Sequence, residues 1–139
     1  MSSMGVRTRG REAALQILFA VDLAGGTLEE AERLHWIYLA SSVEGKDFAH
    51  QVVAKFREHA ESIDAMIRKV SEHWRLERMP RVDRNILRLS TCELMYLPDV
   101  PRRVTLNEAV ELAKRYGGEG SAGFVNGVLD RIASEVGKA

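Results

Sequence analysis

The chain has 139 residues, in which 20 Lys and Arg balance 20 Asp and Glu, and it carries one cysteine. This length allows one domain or two small subdomains that share a core, and zero net charge argues against a nucleic-acid binder that is basic throughout. One cysteine excludes an internal disulfide, and neither a membrane-spanning apolar run nor a signal-peptide core is present. These features predict a cytoplasmic protein in which any RNA contact depends on local positive charge.

Helical periodicity dominates the first half of the chain. Apolar residues at helical spacing predict one helix over about 8–24 and a second over about 28–43. Asp47 is expected to cap a third helix and Ser62 a fourth, because short polar side chains favour the N-cap position. The pattern over 47–74 fits either one helix or two.

The second half of the chain predicts three further helices. The first of them follows Pro80 and ends near the Pro98–Pro101 loop. No segment alternates between apolar and polar residues as a half-buried strand does. The sequence therefore predicts an all-α fold, a compact bundle of about seven helices.

The last two helices have the clearest boundary signals. Thr105 and Glu108 have the T-x-x-E spacing of a capping box, which predicts that a helix begins there, and Gly117-Gly118 is expected to end it. Ser121 is expected to cap the final helix. Gly127 lies within that helix, where glycine costs about 1 kcal/mol relative to alanine, so we expect another backbone or a ligand to approach closely.

The sequence gives no pattern typical of an enzyme. Its four histidines lack H-x-x-x-H spacing and a cysteine cluster, which argues against a metal site. Cys92 stands among leucines and is interpreted as a packed sulfur atom, not a nucleophile. No glycine-rich loop has phosphate-binding spacing. We therefore predict no catalytic residues, no metal and no cofactor.

Two stretches concentrate positive charge. Arg7, Arg9 and Arg11 precede the first acidic residue, and the arginine fork suits bidentate phosphate contacts, although a solvated tail would have the same composition. The stretch 68–88 carries an excess of four positive charges spread over several helical faces. Within it, Arg88 is expected to pair with an acid such as Glu93, since a buried unpaired charge is costly.

Five segments together resemble the NusB family of bacterial transcription antitermination factors. The matching segments are RTRGREAALQILFAVDL at 7–23, DRNILRLSTCEL at 83–94, the Pro98–Pro101 loop, NEAVELAK at 107–114 and FVNGVLD at 124–130. The resemblance covers nearly the whole chain and is weakest over 24–62. It implies a single domain over 1–139 made of two helical subdomains, about 6–78 and 79–137.

The resemblance also implies a function and its partners. A member of this family is expected to pair with NusE, a small-subunit ribosomal protein, and to bind boxA-type single-stranded RNA in nascent ribosomal RNA transcripts. It would act within the transcription elongation complex, without a membrane and without enzymatic activity. Two alternatives stay open: an RNA-binding domain like those of ribosomal RNA methyltransferases, and a helical interaction module without RNA affinity.

Individual site residues follow from the same resemblance. The residues expected to contact RNA are Arg7, Arg9, Arg11, Lys114, Arg115 and Phe124. Phe19 and Asp83 are expected to contact NusE. Each has a structural alternative: core packing for the two phenylalanines, helix capping for Asp83, and pairing with Glu111 for the two basic residues on the penultimate helix. Gly120 and Gly123 stand where other members carry longer side chains, so no side-chain RNA contact is expected from them.

Overall fold

The computed structural model describes residues 4–138, and every regular element in that range is helical. The six α-helices are α1 (Met4–Ala24), α2 (Leu28–Leu34), α3 (Lys46–Val70), α4 (Arg81–Tyr96), α5 (Arg102–Tyr116) and α6 (Ser121–Val136). A π-helical turn, His35–Leu39, continues α2, and a 3₁₀ turn, Leu76–Arg78, precedes α4. The all-α prediction is confirmed, with six helices in place of about seven. Among the described residues, no helix combines the length and apolarity needed to cross a membrane.

The helix count differs because the two helical segments within 46–70 meet at a kink and are counted as one helix, α3. His59 has φ −121° and ψ 23°, outside the helical region. The Ser62 hydroxyl donates to the His59 carbonyl at 3.1 Å and lies 2.7 Å from the Tyr96 hydroxyl, while the His59 ring stacks on Tyr96 at 3.8 Å. Ser62 was predicted to cap a fourth helix, but it stabilises a bend. Asp47 lies in the first turn of α3 and makes no capping bond, because Gly45 occupies the N-cap position.

Helix α4 lies at the centre of the bundle and contacts α1, α3, α5 and α6. One apolar cluster joins these five helices, with fully buried side chains that include Ile17, Ile63, Leu89 and Leu129. Burial of this kind contributes about 1.5–3 kcal/mol for each large aliphatic side chain. The two predicted subdomains thus share a core, and their division at residue 79 stays a prediction.

A glycine pair brings the start of α1 against the start of α3. Gly45 has φ +82°, and a Cβ atom there would lie 2.4 Å from the Gly10 nitrogen. A Cβ atom at Gly10 would lie 2.8 Å from the Gly45 carbonyl oxygen and 3.2 Å from Phe48. No side chain fits between these backbones. This crossing was not predicted from the sequence.

Helix α5 begins earlier than the capping-box pattern predicts. It starts at Arg102, directly after Pro101, whose fixed φ suits a helix start. Thr105 is buried inside the helix, where its hydroxyl donates to Glu93 at 2.9 Å. Glu108 accepts from the Thr8 hydroxyl of α1 at 2.8 Å. The capping box is therefore wrong, since both side chains make contacts between helices.

The start of α6 also differs from the prediction, because Ser121 is not its N-cap residue. Gly120, at φ +86°, holds the N-cap position, and Ser121 begins the helix. The Ser121 hydroxyl accepts from the Gly118 amide at 3.0 Å and donates to Asp83 at 2.8 Å. Around Gly127, a Cβ atom would meet nothing within 4 Å in the described structure. No other backbone in the described range approaches Gly127, so this part of the prediction is wrong, and the approach of a ligand stays a prediction.

Candidate nucleic-acid interface

Arg7 and Arg9 lie on the exposed start of α1. The Arg7 side chain is 49% exposed and contacts Asp99 at 3.4 Å, and Arg9 is 58% exposed and contacts Glu44 at 2.9 Å. Exposed ion pairs contribute at most about 1 kcal/mol, so these contacts are easily exchanged for others. Both guanidinium groups can therefore reach a phosphate.

Arg11 has a different environment from the two exposed arginines. Its guanidinium is 3% exposed and forms two hydrogen bonds with the Glu93 carboxylate, at 2.8 and 2.9 Å. A third contact reaches Glu108 at 3.4 Å, and the group also lies 4.8 Å from the Phe48 ring centre. A paired charge at this depth cannot turn outward without leaving Glu93 unpaired. The prediction that Arg11 contacts RNA is corrected: this side chain positions α1.

The end of α5 carries the other two predicted basic residues. Lys114 is 63% exposed and lies 3.6 Å from Glu111, as expected. Arg115 is 55% exposed and pairs with Glu12 of α1, in contrast to the expected pairing within α5. Together with the Thr8–Glu108 and Arg11–Glu108 contacts, this pair holds α1 alongside α5. The structure therefore places the basic start of α1 and the basic end of α5 on adjoining surfaces.

Phe124 lies in the first turn of α6, where no side-chain hydrogen bond caps the helix. Its ring is half-buried and packs against the core. The ring also meets Trp74 edge to face, with the centroids 5.9 Å apart and the planes at 76°. Phe124 therefore packs partly in the core and is partly exposed to solvent. The uncapped amide groups of α6 add a partial positive charge beside the ring.

Of the two predicted partner residues, Asp83 lies at the α4–α6 junction and Phe19 lies on α1. Asp83 is 4% exposed and accepts from Ser121, and the N-cap position of α4 belongs to Pro80. The capping prediction for Asp83 is therefore wrong, although a carboxylate in a first turn still favours the helix dipole. Phe19 is half-buried on α1, one turn before Asp22.

Asp22 fixes the turn of α1 that carries Phe19 against α4. It accepts from Arg84 Nε at 2.9 Å and from Asn85 Nδ2 at 2.8 Å. Burial would raise the pKa of Asp22, but the hydrogen bonds from Arg84 and Asn85 outweigh it and hold the pKa below its ordinary value. Arg88 pairs with Asp64, at 2.9 and 3.0 Å, in place of the predicted partner Glu93, which lies five residues further along α4 on a different face and pairs with Arg11.

The described residues of this surface offer hydrogen-bond donors, positive charges and aromatic rings to a ligand. They contain no group of three or more side chains placed to hold a metal ion. Burial raises the pKa of the Cys92 thiol to about 12, which agrees with its interpretation as packed sulfur. One exposed aromatic beside Phe124, Trp74, was missed in the sequence, although a tryptophan among the charged residues 72–78 was the available signal.

Comparisons with known proteins show the family of the chain. The NusB family model matches residues 8–134. The transcription antitermination protein NusB of Sorangium cellulosum (strain So ce56) is 54% identical over 135 residues, which cover 97% of this chain and 96% of that protein.

Two solved structures share the fold. NusB from T. maritima superposes with a TM-score of 0.82 at 40% identity, covering 93% of this chain and 91% of that one. A complex described as antitermination factors NusB and NusE with dsRNA gives a TM-score of 0.83 at 30% identity, covering 95% of this chain and 98% of that one. The family match, the relative and the shared helical framework confirm the resemblance seen in the five segments, and the chain belongs to the NusB family.

Proposed function

We propose that this chain is a transcription antitermination factor that binds boxA-type RNA together with NusE and has no enzymatic activity. The observation that carries the proposal is the pair of exposed arginines, Arg7 and Arg9, on a helix start fixed by the buried Arg11–Glu93 pair. Such an arrangement presents two guanidinium groups that can donate hydrogen bonds to phosphate, on a helix whose position is fixed. A NusB of the same fold has been crystallised with NusE and RNA, which supports the proposal.

The proposed RNA surface runs from α1 across the end of α5 to the start of α6. Arg7 and Arg9 supply its first cations, and Lys114 and Arg115 extend it along α5. Phe124 ends it, beside a turn rich in glycine. Local charge of this kind explains how a chain without net charge can bind a polyanion. The partly exposed ring suits stacking on an unpaired base.

The proposed NusE surface contains Phe19 and lies near Asp83. Asp22 holds the Phe19 turn against α4, and Ser121 holds Asp83 in place. Two weak sites on one RNA strand, one on each protein, multiply their affinities when the proteins are joined. The proposed pairing therefore gives tight capture of RNA from modest surfaces. A factor that acts on nascent RNA in the elongation complex works in the bacterial cytoplasm.

A three-component titration tests the proposal. The full chain is titrated into fluorescently labelled single-stranded RNA of boxA type, with and without saturating NusE, and a scrambled RNA of equal length serves as control. We expect NusE to lower the Kd for boxA-type RNA at least tenfold and to change the Kd for the scrambled RNA much less.

The alternatives give different results in the same titration. An RNA-binding domain of the methyltransferase type would bind RNA equally well with and without NusE. An interaction module without RNA affinity would bind NusE and leave the RNA free. Either result would contradict the proposed function.

A further inference from the structure

We propose that Trp74, in the loop between α3 and α4, forms with Phe124 a corner that receives one unpaired nucleobase, with Arg75 and Arg78 on the adjacent phosphates. This inference rests on the proposed RNA-binding function and extends its surface to a segment that the family resemblance did not assign. The groove at this corner has a volume of about 720 Å³ and includes the Gly118–Gly120 turn.

The geometry of the two rings suits a flat ligand. The Trp74 side chain is 62% exposed, which leaves much of its indole surface open to solvent. The Phe124 ring lies at 76° to it, with the centroids 5.9 Å apart, so the two rings form the sides of an open corner. A base stacked on one ring would contact the other ring with its edge. Each base has a π-face, so stacking here needs no particular sequence.

The charge around the corner favours a nucleic acid over an apolar peptide. Arg75 and Arg78 are exposed, and neither forms an ion pair with an acid in the described part of the chain. Asp83 lies on the groove wall, but it is buried and accepts the Ser121 hydroxyl. Glu119 is the other carboxylate on the groove. Two unpaired guanidinium groups next to two rings match a phosphate–base unit.

The backbone on the opposite side of the groove leaves room for a strand. A Cβ atom added at Gly118 or Gly120 would meet nothing within 4 Å among the described residues. The first turn of α6 follows directly, with its amide groups uncapped by any side chain. The corner is also continuous with the proposed RNA surface, because Phe124 belongs to both.

Two measurements on the full chain test the corner, both with saturating NusE. The first compares the RNA affinities of Trp74→Ala and Trp74→Leu with that of Tyr38→Ala, which removes an exposed aromatic side chain elsewhere. We expect both Trp74 variants to weaken binding of the boxA-type oligonucleotide by about tenfold to a hundredfold. Tyr38→Ala should bind like the parent protein.

The second measurement locates the base. A set of oligonucleotides, each lacking one base, is titrated against the parent protein and against Trp74→Ala. One abasic position should weaken binding to the parent protein and have no further effect on the variant. In a Trp36→Phe background, Trp74 is the remaining tryptophan, and RNA should quench its fluorescence except when that position is abasic.

The outcomes separate this inference from the proposed function. If the parent protein does not bind RNA, the proposed function fails. If it binds RNA but a folded Trp74→Ala variant binds equally well, only the corner is overturned. If the variant keeps its RNA affinity and loses affinity for NusE, the groove receives the partner protein and the inference is wrong.

Discussion

The guanidinium of Arg11 and the carboxylate of Glu93 meet in two hydrogen bonds, at 2.8 and 2.9 Å, across the α1–α4 contact. Both side chains are almost fully buried, at 3% and 1% exposure. Glu93 also accepts from Thr105 of α5, so one carboxylate joins three helices. The exposed arginines Arg7 and Arg9 owe their position to this buried contact.

We predict that Arg11→Met lowers the free energy of unfolding by about 3–5 kcal/mol, because it leaves the Glu93 carboxylate buried without its cation. The double variant Arg11→Met/Glu93→Leu should lose less than the sum of the single variants. Urea unfolding followed by circular dichroism measures the difference. Arg9→Met is the matched control, with an expected change of at most about 1 kcal/mol. Equal losses in the Arg9 and Arg11 variants would count against a structural role for Arg11.

Replacement of Arg7 and Arg9 by alanine should weaken RNA binding without unfolding the protein. Each phosphate neutralised on a single strand contributes about 0.7 to the slope of log Kd against log salt, so two lost contacts should lower the slope by about 1.4. RNA titrations at four salt concentrations give the slope. Arg57→Ala is the matched control, since Arg57 is an exposed arginine of α3 paired with Glu29. An unchanged slope in the double variant would remove α1 from the RNA surface.

The sequence predicted the helices, which show a periodic apolar pattern, and missed the features that depend on single contacts between distant side chains. Apolar periodicity located every long helix, because burial of one face imposes it. The roles of Arg11 and Thr105 could not be predicted, since their common partner, Glu93, lies on another helix and meets them only after α1, α4 and α5 have packed. Thr105 and Glu108 satisfied a local capping pattern, but contacts with other helices took both side chains.

The sequence predicted some residues of the candidate site and missed others. The family motifs identified Arg7, Arg9 and Phe124, which lie on the surface or partly on it. Arg11 is buried, whereas Arg7 and Arg9 are exposed. The three arginines stand at alternate positions in the sequence, and no local sequence rule predicts which of them is buried. Trp74 was missed because its relation to Phe124 exists only after α3, α4 and α6 have packed.

Gly45→Ala should destabilise the protein and displace the α1 start. The new methyl group would lie 2.4 Å from the Gly10 nitrogen, and φ +82° is already unfavourable for alanine. Gly26→Ala is the matched control, because Gly26 has φ +89° with open space around it and so measures the dihedral cost alone. We expect about 1–2 kcal/mol for Gly26→Ala and clearly more for Gly45→Ala, by thermal and urea unfolding. Similar values would show that the crossing tolerates a side chain.

The proposed NusE surface can be tested without unfolding the chain. Asp83→Asn removes the charge but keeps the shape of the side chain and an oxygen that can accept from the Ser121 hydroxyl, whereas Ser121→Ala removes that hydrogen bond and keeps the charge. If Asp83 contacts NusE through its charge, Asp83→Asn should weaken NusE binding at least fivefold more than Ser121→Ala does. Phe19→Ala should weaken it as well. Calorimetric titration gives the affinities and thermal melts give the stabilities. Equal NusE affinity in Asp83→Asn and Ser121→Ala would make Asp83 purely structural.

Asp22 should contribute stability that depends on pH in the acid range. Its folded-state pKa is lowered, so the native state favours the carboxylate more than the unfolded chain does. The contribution is fully present above the unfolded pKa of about 4 and is lost as the pH falls through the lower folded value. Asp22→Asn should therefore cost about 1–3 kcal/mol at neutral pH, through the charged hydrogen bonds with Arg84 and Asn85.

The difference in unfolding free energy between the parent protein and Asp22→Asn should stay constant from pH 7 to about pH 5 and shrink below pH 4. Urea unfolding at pH intervals measures this difference, in which the titration of other carboxylates common to both proteins cancels. Asp99→Asn, at an exposed carboxylate near Arg7, should leave stability nearly unchanged at neutral pH. A difference that persists undiminished to pH 2.5 would mean that the amide disturbs packing and that the Asp22 charge contributes little.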